Sequence, residues 1–156
     1  MKRIVKITSI IILVLFIIFV GIVSYFYHQA KKEQEQITNL ANFLNQIQQE
    51  KHHLESQDKI GGKTPEETLQ LFIEALEKKD YELASKYFVL EKQEKWRGII
   101  RDIIESDKIN DFVLPLEKIE FSNGEYSEDR KKFFVEDPVY LQFIKYPSGV
   151  WKIEEI

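Results

Sequence analysis

The chain has 156 residues and a formal net charge of −4. That is about one domain's worth of sequence, and the sign of the charge argues against non-specific nucleic-acid binding. There is no cysteine, which excludes disulfides, thiolate metal sites, cysteine nucleophiles and a lipidated N-terminal cysteine.

The charge is unevenly spread, +3 over residues 1–30, −1 over 31–60 and −6 over 61–156. The sequence divides accordingly into 1–29, a short N-terminus with an apolar segment; 30–60, a polar helical stalk; and 61–156, a folded domain. From Ile7 to Tyr27 no residue is charged. As a helix this run spans about 30 Å, the thickness of a bilayer's hydrocarbon core. Lys2, Arg3 and Lys6 precede it, and Tyr25 and Tyr27 stand at its far end, where amphipathic rings favour the lipid–water interface. The basic bias predicts a cytoplasmic N-terminus and an extracytoplasmic C-terminal domain, in a single-pass protein of the cell membrane. The competing reading is a cleaved signal peptide, but the run exceeds the usual length, and neither His28-Gln29-Ala30 nor Ile22-Val23-Ser24 is a good cleavage site. The expectation is an uncleaved anchor.

Residues 30–59 contain no proline or glycine. Ile37, Leu40, Leu44, Ile47 and Leu54 follow a heptad, with Lys51 in one seam position. This pattern fits a short parallel coiled coil pairing two chains, and it fits equally a single amphipathic helix. His52-His53 is not a metal site, because adjacent helical side chains diverge by roughly 100°. Gly61-Gly62 then marks the domain boundary.

Thr64-Pro65-Glu66-Glu67 reads as a helix start: a capping threonine, proline at the first helical position and a glutamate completing a capping box. Leu69, Phe72, Ile73 and Leu76 form its apolar face. Asp80 is the expected N-cap of a second, short helix with Leu83, Ala84, Tyr87 and Phe88 on one side. A third helix is predicted over roughly 91–105, with Trp96, Ile99, Ile100, Ile103 and Ile104 inward and an Arg101–Glu105 pair. After Asn110 the period reads as two. Strands are predicted over 116–121, 132–136, 139–146 and 150–155, with Ser122-Asn123-Gly124 as a turn and Asp137-Pro138 as an interruption. Pro147-Ser148-Gly149 is a hairpin loop that pairs Tyr146 with Val150. That register places Leu141, Phe143, Trp151 and Ile153 on the core face, and Tyr140, Gln142, Ile144, Tyr146, Lys152 and Ile156 on the other. The expected class is α+β: an N-terminal transmembrane helix, a helical stalk, then three helices packed on a curved antiparallel sheet of three to four strands.

Thr64-Pro65-Glu66-Glu67, Leu71 to Leu76, Lys79 to Ala84, Tyr87-Phe88 and the closing Gly149-Val150-Trp151-Lys152-Ile153 resemble the nuclear transport factor 2-like superfamily, the cystatin-like α+β cone. The likeness covers 64–90 and 139–156, and points especially to small bacterial members behind a membrane anchor or lipoprotein signal. It implies a helix pair in the concave face of the sheet, with the closing strand in that sheet. The family includes isomerases, dehydratases and hydrolases that use Asp, Tyr or His in the cone pocket. It also includes binding domains and scaffold components of type IV secretion machines. This domain has no histidine, so it departs from the enzymes, and no catalytic residue of the family maps onto it.

The remaining chemical candidates are thin. Asp102 and Glu105 are helical neighbours on what reads as a solvated face. Of Glu154 and Glu155, the hairpin register puts Glu155 on the core side, near Leu141. Tyr87 and Trp96 are candidates for a pocket mouth, along with Glu155, but the two aromatics read more readily as core residues. Ser122-Asn123-Gly124 lacks the spacing of a phosphate loop. Arg130-Lys131-Lys132 reads as a device against edge aggregation. Tyr140, Ile144, Tyr146 and Ile156 form a candidate interface on the outer sheet face. The function expected is non-enzymatic: a membrane-anchored extracytoplasmic binding or assembly domain, such as a scaffold subunit of an envelope or secretion complex. Neither a cofactor, a metal nor nucleic acid is expected. The expected partners are the membrane, a second copy through the stalk or outer sheet face, and an envelope protein. The alternatives are a small cone-pocket enzyme of isomerase or hydrolase type, or a binding domain for an apolar small molecule.

Overall fold

The computed structural model describes the backbone of residues 2–156 and the side chains of 16–29 and 31–156. Helix α1 runs from Lys2 to Gln57, so the helix stops ahead of the Gly61-Gly62 pair. Among the described residues no helix is long and apolar enough to cross a membrane. The first part of the expected span, 7–15, lies outside the described side chains. The chain forms two compact units, Met1–Gln49 and Glu50–Ile156. The second therefore takes in the end of α1 as well as the domain predicted from residue 61.

The second unit is α+β. Its helices are α2 (Pro65–Glu77), α3 (Tyr81–Ser85), α4 (Gln93–Glu105) and α5 (Ile109–Glu117). Its strands are β1 (Glu125–Tyr126), β2 (Lys132–Val135), β3 (Leu141–Lys145) and β4 (Trp151–Glu155), an antiparallel meander in the order β1-β2-β3-β4.

The local signals form as their chemistry dictates. Thr64 Oγ1 accepts from Glu67 N at 3.1 Å, and the Glu67 carboxylate accepts from Lys63 N at 2.6 Å, one residue earlier than in the standard box. Asp80 Oδ1 accepts from Leu83 N at 2.9 Å. Gly149 takes φ +92° in the hairpin loop, where Tyr146 N donates to Val150 O at 2.9 Å. Arg101 pairs with Asp102 at 3.7 Å, not with Glu105 as expected.

One element differs in kind. Residues 116–121 do not form a strand. Leu116 and Glu117 close α5, and Phe121 opens a 3-10 turn. Proline and the residue before it disfavour helix, and Pro115 interrupts the pattern at that point. Burial decides instead: Ile109, Val113 and Leu116, spaced four and three apart, are all buried in the core. The helices packed beside the sheet are thus four, where the sequence predicted three.

The inner sheet face carries Phe133, Val135, Leu141, Phe143, Trp151 and Ile153, all at most 4% exposed. Against it α2 contributes Leu69, Phe72 and Leu76. Phe88 stacks on Trp96 at 4.3 Å between centroids and meets Phe72 edge-on at 5.3 Å. The segment after α3 lies along β4: Val89 N donates to Ile153 O at 3.0 Å, and Ile153 N donates to Tyr87 O at 2.9 Å. Thr68 fastens the start of α2 to the same strand, its hydroxyl accepting from Gly62 N at 3.0 Å and donating toward Trp151 O at 3.2 Å. Gly61, at φ +149°, passes so close that a Cβ would collide with the Trp151 carbonyl oxygen.

Candidate functional site

The three residues expected at a pocket mouth do not meet at one. Trp96 is 8% exposed within the aromatic stack. Tyr87 is 6% exposed beside β4, and burial raises its phenol above the ordinary tyrosine value. Glu155 is elsewhere. The register slips between Gln142 and Phe143, so that Phe143 faces Ile153 while Gln142 faces Glu155. This bulge absorbs one residue and reverses the expected orientation. Glu155 is exposed and bonded to Lys92, whose ammonium holds the carboxyl below its usual range. Glu154 lies on the outer face, where the hairpin register places it, accepting from Gln142 and, at 3.2 Å, from Lys132.

The outer face also departs from expectation. Tyr140 is exposed, its hydroxyl donating to Gln142 at 2.8 Å, and Ile144 is half-buried, while Ile156, expected on this face, packs against the inner core past the register slip. Tyr146 is only 3% exposed and Lys152 is fully buried. The end of α1 and the segment 86–92 close over them. Lys152 Nζ sits 2.6 Å from Asp58 Oδ2 and donates to Lys86 O at 2.6 Å. Asp58 Oδ1 also accepts from Ile60 N at 2.9 Å. The Tyr146 hydroxyl accepts from Leu90 N at 2.9 Å, and Lys152 Nζ stands 5.7 Å from its ring. Nearer the rim, Lys51 pairs with Glu91 at 2.8 Å. Burial lowers the Lys152 ammonium's pKa, against the opposing pull of Asp58. The carboxylate of Asp58 and the carbonyl of Lys86 together hold the Lys152 ammonium in this joint. Nothing in the sequence signalled it except an isolated lysine in an apolar strand.

A third arrangement, which sequence reasoning missed, lies between α2 and the end of α5. Glu66, Leu69, Gln70, Ile73, Glu74 and Glu77 follow the helical repeat along one face of α2. Leu116, Glu117, Ile119 and Phe121 face them across an open cleft of about 360 Å³. The floor is apolar and the rim is acidic. A smaller cleft of about 260 Å³ lies at the sheet edge by Asn123, Glu125 and Glu136. Among the described residues no group of His, Asp or Glu is arranged to hold a metal ion. No protein-family profile, curated protein or solved structure matches this chain.

Proposed function

We propose that this protein is a membrane-anchored binding or assembly module, a small cone of the nuclear transport factor 2-like type that works by its surface rather than by an internal pocket. The observation that carries this reading is the aromatic packing of the interior. Phe72, Phe88, Trp96 and Phe112 meet ring to ring where a cone enzyme would keep its cavity. The helix-then-meander order and the closing strand through Trp151 support the cone assignment. The anchor rests on the uncharged run from Ile7 to Tyr27. From Phe16 to Tyr27 every large apolar side chain is at least 49% exposed, an all-round apolar helix surface of the kind lipid covers.

Three measurements test this reading. The natural chain has no cysteine, so a single introduced one reports position. Glu35→Cys in intact cells should react with a membrane-impermeant maleimide, and Lys2→Cys only after lysis. N-terminal sequencing should begin at Met1 or Lys2, and a start near Tyr25 or Lys31 overturns the anchor. Saturating benzene should leave the unfolding temperature unchanged. A rise of about 3 °C or more would reveal an occupied interior cavity and favour the small-molecule or enzyme alternatives.

A further inference from the structure

We infer that the cleft between α2 and α5 is a docking groove for a basic amphipathic helix of a partner protein. This rests on the binding reading above and names its surface and its partner's chemistry. The argument starts from the α2 repeat. Glu66, Glu74 and Glu77 place carboxylates along one rim over twelve residues, about 16 Å of helix. Glu117 stands on the opposite rim. Between them Ile73 and Phe121 are only half-buried, over a floor of Leu69, Leu116 and Ile119.

Of the four carboxylates of the groove, only Glu74 has a basic partner among the described residues. Glu74 meets Lys78 at 3.7 Å, a pair exposed enough to be weak. Among the described residues Glu66, Glu77 and Glu117 form no ion pair, and no lysine or arginine lines the cleft. Unpaired like charges flanking apolar side chains raise a local negative potential that a complementary partner relieves. The matching ligand is a helix of about three turns. It presents aliphatic residues at i, i+3 or i+4 and i+7 to Ile73 and Phe121, with lysine or arginine on both flanks.

The test uses the full chain in phosphatidylcholine nanodiscs, with empty discs as the blank. The probe is a fluorescent leucine–lysine peptide with amphipathic helical spacing, and its scrambled isomer is the control. The triple variant Glu66→Lys, Glu77→Lys, Glu117→Lys should weaken binding at least tenfold. A triple variant outside the groove, Glu105→Lys, Glu128→Lys, Glu136→Lys, should change it less than about twofold, though the net charge changes equally. The scrambled peptide should bind at least tenfold more weakly than the amphipathic one. All these positions are exposed, and circular dichroism confirms that each variant is folded. Equal losses in the two triple variants, or equal binding of the two peptides, would reduce the effect to general acidity and overturn the groove. Uptake no greater than by empty discs overturns it too. Neither failure touches the anchored reading, which stands or falls on cysteine labelling, N-terminal sequencing and the benzene measurement.

Discussion

Phe133, Val135, Leu141, Phe143, Trp151 and Ile153 point to one side of the sheet, and Lys132, Gln142, Ile144, Lys152 and Glu154 to the other. The first set is sealed by apolar contact with the helices. The second is polar across most of its width, with Glu154 joined to Gln142 and Lys132. At β4 it too is buried, under the end of α1 and segment 86–92. The inner face gains from removing apolar area from water, which is non-directional and tolerant of small shifts. The buried corner of the outer face depends on a charge meeting its partner at hydrogen-bond distance, so it is stable only when every group is present.

The comparison sharpens with mutation, and the largest effect belongs to the inner face. Trp151→Ala should cost about 4 kcal/mol in denaturant unfolding, because the indole is 4% exposed, beside Tyr126 at 5.9 Å between centroids. A loss below about 1 kcal/mol would mean that the site collapses and that the inner face is not the dominant core.

The outer corner should respond differently to one change than to two. Asp58→Ala leaves Lys152 buried without its counter-ion and should cost about 3 kcal/mol. The double variant Asp58→Asn, Lys152→Met removes both charges, and its asparagine keeps an acceptor for Ile60 N. Its stability should return to within about 1 kcal/mol of the natural chain. A loss in the double variant equal to the sum of those of Asp58→Asn and Lys152→Met alone would show that the two charges do not act as a pair.

The smallest effect is at Tyr146. Tyr146→Phe strands the Leu90 N–H in a part-buried site and should cost about 1–2 kcal/mol. Burial is the main cause of the raised phenol pKa, ahead of the opposing bond from Leu90. A tyrosine whose folded pKa lies above its unfolded value of 10.0 contributes stability that is whole below that pH. The contribution is lost as pH rises past it. The natural chain should therefore lose stability more steeply than Tyr146→Phe when unfolding is followed upward from pH 10.0. Parallel curves would place the phenol in contact with water.

The sequence alone determined the features whose energy is local. The capping residues of α2 and α3, the tight loop at Gly149 and the alternation in β3 and β4 are each decided within a few neighbouring residues, where sterics and single hydrogen bonds suffice. Those features carried the α+β class and most of the inner core, including Phe72, Phe143, Trp151 and Ile153. The candidate site was far less legible. The acidic faces of α2 and the tail of α5 are ordinary solvated helix surfaces until tertiary packing sets them across a cleft. Residues 116–121 read as a strand because the apolar period after Asn110 reads as two, and Pro115 opposes helix at the same place. Only the burial of Ile109, Val113 and Leu116 against other elements outweighs that preference. The orientation of Glu155 hinges on a bulge that no single strand encodes. Lys152 and Tyr146 read as surface residues because their strand has two faces, and what covers the second face comes from Asp58, Lys86 and Leu90, more than fifty residues away in the chain. Alternation along a strand assigns side chains to two faces, but whether a face meets water is decided by which distant segments pack upon it, and that is a property of the whole fold.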